Sequence, residues 1–129
     1  MPLIRIDAIE GRSKQEIKDL LDAAHRAIVS AFKVPLRDRY QVYHEHPESN
    51  LIAEDTGLEI PRTRNLVIVS VTSRPRNQDS KLAFYASLCY ELKQSCNIDP
   101  GDVIVSIVTN SDFDWSFGNG QAQFITGEL

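Results

Sequence analysis

Pro2, Asp38, Arg74 and Arg76 are the residues of this chain whose types could do chemistry together. Pro2 stands beside the N-terminal amine, Asp38 brings a carboxylate, and the two arginines bracket Pro75. An amine, a carboxylate and two guanidinium groups suit a small acidic substrate. Arginine holds carboxylates through paired hydrogen bonds, and a neighbouring carboxylate favours the charged form of an amine. Taken singly, each residue also has an ordinary role. Proline opens strands, aspartate begins or caps them, and charge after a strand end is usually solvated.

Other candidates carry less. His44-Glu45-His46 puts two imidazoles on one strand face, but no third and fourth ligand stands out, so no metal is expected. Cys89 and Cys96 are seven apart on one helix, about 10 Å along its axis. That is too far for a disulfide, so both are expected as reduced thiols near a buried helix face. Gly118-Asn119-Gly120 does not open a helix after a strand, which argues against a dinucleotide site. Arg62 and Arg64 give no reason to prefer a pocket over solvent. His25 is expected at the exposed edge of its helix.

The elements that must position these groups follow from pattern. Residues 2–9 alternate as a strand. Ser13-Lys14-Gln15-Glu16 has capping-box spacing and starts a helix. Ile17, Leu20, Leu21, Ala24, Ile28, Ala31 and Phe32 recur at helical spacing, and Pro35 marks the stop. Residues 39–43 are predicted as a second strand, and 44–64 as a long excursion of a kind often functional. The β-branched run 66–72 is a third strand. A second helix over about 78–96 is predicted to bury Leu82, Tyr85, Ala86, Cys89, Leu92 and Cys96. Residues 103–109 form a fourth strand. The tail 110–129 is turn-rich, with room for one short hairpin.

The order is β-α-β, a link, then β-α-β, and the halves match at an offset of about 64 residues: Pro2 with Leu66, Ser13 with Asn77, Asp38 with Asp102. Each unit is parallel, because a helix crossover joins its strands. One domain over 1–129 is expected, with units at about 2–43 and 65–109 and a tail at 110–129. The fold class is α/β (α+β): a four-stranded mixed sheet with two helices on one face. Too little chain remains to cover the other face, so an oligomer is expected. If the second unit runs antiparallel to the first, Pro2, Asp38, Arg74 and Arg76 gather at one sheet edge.

Composition narrows the function. With 42% hydrophobic and 25% charged residues, the chain has enough apolar content to exclude a disordered one. The net charge of -4 and the absence of a basic stripe exclude a nucleic-acid partner. Apolar runs are strand-sized, so no membrane span is expected. No signal pattern opens the chain, and a cytoplasmic protein is expected.

Pro2 behind the initiator methionine, the duplicated unit and the length resemble the tautomerase superfamily. Asp38, Ser73-Arg74-Pro75-Arg76, Asp114-Trp115-Ser116-Phe117-Gly118-Asn119-Gly120, Phe124 and Thr126-Gly127-Glu128-Leu129 are similar to its malonate semialdehyde decarboxylase branch. The resemblance spans the chain, and its weight rests on the Arg-Pro-Arg and Trp-Ser-Phe-Gly elements rather than on Pro2. It implies a homotrimer that decarboxylates malonate semialdehyde (3-oxopropanoate) to acetaldehyde and carbon dioxide with no metal or organic cofactor. It implies that Pro2, freed by loss of Met1, is the reactive amine, that Arg74 and Arg76 hold the substrate carboxylate, and that Asp38 orients Pro2 or activates water. Trp115, Phe117, Phe124 and Leu129 would wall the pocket. A hydratase or keto–enol tautomerase of a small unsaturated or 2-oxo acid would use the same scaffold. A non-catalytic trimeric interaction protein is the third expectation, which retention of Met1 would favour.

Overall fold

The computed structural model describes all 129 residues. Its regular elements are β1 (Leu3–Ile9), α1 (Lys14–Phe32), β2 (Tyr40–His46), β3 (Val67–Ser73), α2 (Gln78–Cys96), β4 (Val103–Thr109) and the short α3 (Gln123–Thr126). The strands form one sheet in the order β2-β1-β3-β4. β1 runs parallel to β2, β3 parallel to β4, and β1 antiparallel to β3. The repeat seen in sequence is therefore a repeat in space, joined through its two central strands.

Local chemistry repeats as well. The Ser13 hydroxyl accepts from Glu16 N at 3.1 Å, and the Glu16 carboxylate accepts from Ser13 N at 2.9 Å, a reciprocal cap on α1. Asn77 caps α2 by accepting from Ser80 N at 2.8 Å. Each helix ends on a residue in the left-handed region, Lys33 (φ 55°) and Asn97 (φ 53°), which turns the chain out of the helix.

Ile4, Ile6 and Ala8 of β1 pair with Val71, Val69 and Val67 of β3, so these six side chains share one sheet face. Both long helices pack on it. α1 contributes Leu20, Ala23, Ala24, Ala27, Ile28 and Phe32, and α2 contributes Phe84, Leu88 and Leu92. Each large side chain buried there stabilises by about 1.5–3 kcal/mol.

The core face of α2 differs from the expected one. Leu82, Tyr85 and Ala86 are exposed and Cys89 is half-buried, while Phe84, Leu88 and Leu92 are fully buried. The helix carries two apolar stripes, so periodicity alone does not choose between them. The stripe with Phe84 wins because its ring packs against Phe32 of α1 at 5.4 Å between centroids. His25 is likewise buried rather than at an exposed edge, and its Nε2 lies 2.8 Å from the carbonyl oxygen of Leu36. β2 runs three residues past Tyr43, shortening the excursion, and the tail forms a 3₁₀ turn at Asp112–Asp114 and α3 rather than a hairpin.

No element covers the opposite sheet face. Leu3, Val42 and Val108 remain 39%, 41% and 62% exposed there. Between them lies a polar group: His46 Nε2 is 2.7 Å from Asp7, and Arg5 is 2.8 Å from His44 Nδ1. No helix is long and apolar enough to cross a membrane.

Candidate active site

The end of the sheet where β1 and β2 begin is also where β3 ends, because Leu3 pairs with both Tyr40 and Thr72. The antiparallel condition is thus met. The N-terminus, Asp38, Arg74 and Arg76 come to one edge.

Asp38 arrives there through a fixed turn. Past the left-handed cap Lys33, Pro35 prevents further helix. Asp38 N donates to Pro35 O at 3.0 Å, and buried His25 ties the Leu36 carbonyl to α1. Asp38 is 7% exposed, and both its carboxylate oxygens lack a hydrogen-bond partner. The Met1 amine stands 3.8 Å from Oδ2, close enough to pair in charge but too far to hydrogen-bond. Native proteins rarely leave buried polar atoms unpaired, so each such atom needs a reason.

The arginines are held by the residues around them. Ser73, fully buried at the end of β3, accepts from Arg76 Nε at 3.2 Å and donates to Arg74 O at 2.9 Å. Arg76 also donates to Phe32 O at 3.1 Å and lies over the Phe32 ring at 4.9 Å. Arg74 pairs with Asp112 at 3.0 Å and sits 3.9 Å above the Phe124 ring. Its Nε is buried without a partner. An orphaned donor and two orphaned acceptors therefore share one edge. Burial holds the N-terminal amine below its ordinary pKa; Asp38 opposes this, and Arg76 and Arg74 add to it. Arg76 is itself held below its usual value, by burial first and then by Arg74.

A cavity of about 230 Å³ opens at this edge, lined by Met1, Pro35, Arg37, Asp38, Tyr40, Phe117 and Leu129. Phe117 and Leu129 stand where the wall was expected. Trp115 and Phe124 do not touch the cavity. Trp115 stacks on Phe117 at 5.3 Å and donates to Asn110 at 2.8 Å, and Phe124 meets Phe117 edge-on at 5.5 Å. Both back the wall rather than form it. Arg74 and Arg76 also lie outside the lining, while Pro2 is buried behind Met1.

Sequence reasoning missed Arg37, Tyr40 and Asp112, and it quoted Ser73 within a motif without giving it the role of a support. Strand alternation puts Tyr40 on the side of Asp38, which was a usable signal. The Tyr40–Phe117 stack at 5.7 Å joins residues far apart in sequence and left none.

The remaining candidates lie elsewhere. Arg62 and Arg64 are at the opposite end of the sheet, turned to the backbone carbonyls of Glu54, Gly101 and Glu10. Asp102 does more than begin a strand: it is 2% exposed and accepts from Thr63 N at 2.7 Å and from the Thr63 hydroxyl. Cys89 and Cys96 are free, and burial pushes both thiols up, away from the reactive thiolate. No cluster of three or more His, Cys, Asp or Glu side chains could hold a metal ion.

Two family profiles, each described as "Tautomerase enzyme", match residues 38–118 and 2–60. Two Bacillus subtilis (strain 168) proteins are similar. Probable tautomerase YrdN is 55% identical over 129 residues, covering 100% of both chains, and probable tautomerase YusQ is 30% identical over 126 residues, covering 97% of this chain and 99% of its own. Among solved structures, a malonate semialdehyde decarboxylase described with decarboxylase and hydratase activities superposes with a TM-score of 0.97 at 49% identity, covering 98% of each chain. The malonate semialdehyde decarboxylase FG41, inhibited by 3-bromopropiolate, gives 0.94 at 38%, covering 98% and 97%. The repeat, the edge that gathers its ionisable groups, and these matches along the whole chain lead to one assignment: the protein belongs to the tautomerase family.

Proposed function

We propose that this chain is a cofactor-independent decarboxylase of malonate semialdehyde, acting through the secondary amine of Pro2 once Met1 is removed. The observation that carries the reading is Asp38, a buried carboxylate with no hydrogen-bond partner, 3.8 Å from the amine of Met1, the residue whose loss would free Pro2 beside it. The full-length likeness to two malonate semialdehyde decarboxylases supports it. Loss of Met1, which lines the cavity, would widen that space toward Pro2 and the two arginines.

Arg74 and Arg76 would take the substrate carboxylate. The protonated amine would hydrogen-bond the aldehyde oxygen; in the covalent route the neutral amine would condense with the carbonyl, expelling water, to an iminium that water hydrolyses after the carbon–carbon bond has broken. As the carbon–carbon bond breaks, carbon dioxide leaves and its bonding electrons pass to this sink. A proton then returns to carbon and acetaldehyde is released. Asp38 would favour the ammonium form, and Phe117 and Leu129, backed by Trp115 and Phe124, would keep water from the carboxylate.

A keto–enol tautomerase is the second reading. It would use the neutral Pro2 amine as a base, and the curated relatives bear that name. A related hydration of an unsaturated acid would use Asp38 to activate water. We further infer one domain of two repeated units that assembles as a homotrimer through its uncovered sheet face, with light scattering as the check. Its two free thiols suit the reducing cytoplasm.

The test uses protein whose intact mass shows loss of Met1. Malonate semialdehyde and an enolpyruvate are assayed side by side, with Pro2→Ala as control. Acetaldehyde release that the variant loses is the expected result. Enol turnover without decarboxylation would replace the first reading by the second, and no turnover of either would favour a non-catalytic trimer.

A further inference from the structure

Of the three histidines only His25 is buried, at 7% exposure. Its Nε2 lies 2.8 Å from Leu36 O. A carbonyl only accepts, so Nε2 carries the proton and donates. Leu36 belongs to the turn that delivers Asp38 to the site, closed by Asp38 N onto Pro35 O at 3.0 Å. The side chains before Asp38 do little to hold this turn. Pro35 and Arg37 are exposed, and Leu36 is 74% exposed. The bond from His25 therefore pins the turn to α1 from beneath.

The other half of the chain shows the alternative. At the same repeat offset, Cys89 stands in the place of His25. The matching turn closes with Asp102 N onto Asp99 O at 2.9 Å. It is gripped by the excursion: Arg62 donates to Gly101 O, and Thr63 donates to the Asp102 carboxylate. That grip covers the carboxylate. A turn whose carboxylate must stay open to an amine has to be fixed from the helix side instead. A buried donor on α1 does so without occupying either oxygen of Asp38, and both remain free of hydrogen bonds. We propose that His25 is a positioning residue: through the Leu36 carbonyl it fixes the Asp38 carboxylate at its distance from the N-terminal amine. The inference rests on the reading of Asp38 as partner of the Pro2 amine. It does not depend on which reaction follows.

The test uses the full-length protein lacking Met1, with isotope-labelled proline. Titration of the Pro2 amine by NMR reads the Asp38–amine pair whether or not any substrate turns over. His25→Leu fills the space and removes the donor, and His25→Asn leaves an amide too short to reach Leu36 O. Both should lower the amine's pKa, in the direction of Asp38→Asn and by less. Both should cut kcat about tenfold with KM little changed, since misplacing a catalytic group by about 1 Å is enough to slow the chemistry. His25→Gln, whose amide nitrogen reaches the place of Nε2, should restore both readouts. In an Asp38→Asn background, His25→Leu should do nothing further to the amine. A histidine that only supports the fold would lower the melting temperature and leave the amine's titration unmoved. That result would overturn the assignment, as would an undiminished effect in the Asp38→Asn background. If malonate semialdehyde is not decarboxylated while the titration pattern holds, the decarboxylase reading falls and the His25 assignment stands.

Discussion

Asp38 and Asp102 occupy matching places in the two halves and have opposite surroundings. Each follows a helix by way of a short turn and precedes a strand, and each closes that turn with its own amide, onto Pro35 O at 3.0 Å and Asp99 O at 2.9 Å. Both are buried. Asp102 is satisfied, because the long excursion returns Thr63 to it. Asp38 has no such plug and faces an amine it does not reach. The place held by Pro2 in the first half is held by Leu66 in the second, fully inside the chain and 3% exposed. A duplicated scaffold thus supplies two equivalent ends, one stoppered and one open. A buried carboxylate that has an amine within charge-pairing distance but no hydrogen bond is costly to keep, and it occurs at one end of the scaffold alone.

The comparison can be broken or sharpened by mutation. The largest effect should come at the open end: Pro2→Ala should cut acetaldehyde release by about 10³-fold, within the range for a lost acid–base or covalent group. Asp38→Asn should cost about 10²-fold in kcat with little change in melting temperature, since the carboxylate it replaces makes no hydrogen bond. At the stoppered end the pattern should reverse. Asp102→Ala strands the two Thr63 donors, and should destabilise by about 2 kcal/mol, or some 5–10 °C, with turnover kept within about threefold. Equal stability losses at Asp38 and Asp102 in thermal melts would remove the distinction.

A smaller effect is one of pH. At the Met1 amine, burial and the two guanidinium groups disfavour the cation and Asp38 favours it, and the same charged groups would surround the Pro2 amine once Met1 is lost. A reaction needing the ammonium is present below the amine's pKa and fades as pH rises through it. Arg76→Gln should therefore carry the residual decarboxylation to higher pH, and Asp38→Asn should retract it to lower pH. A pH–rate profile reads both, and a tautomerase limb would run the other way. The smallest effects should be symmetric. Ser13→Ala and Asn77→Ala remove equivalent helix caps, and denaturant titrations should find about 1 kcal/mol for each.

The fold was largely legible because both helices carry their start signals in sequence and the strands are β-branched runs. Of the site, Asp38 and the arginines were legible as a topological cluster, since a strand's ends say where its flanking residues go. What stayed hidden depends on contacts between distant residues. The α2 stripe that faces the core was decided by Phe32, and the burial of His25 by a carbonyl eleven residues on. Trp115 was read as wall because a motif gives residue types without saying which ring stands in front. Arg37 was passed over because a charged turn residue carries no sign of its surroundings.

The antiparallel seam between β1 and β3 also bears on how the chain reaches this form. Each parallel pair closes within its own half, but the seam joins residues roughly 60–70 apart, which makes it the slow, non-local step of folding. A nascent chain that has emerged only as far as β2 presents β1 as an unpaired edge, with Ile4 and Ile6 lacking part of their cover. Such edges recruit other strands. The interval during synthesis between the completion of β2 and the arrival of β3 is when this chain is most open to misassembly.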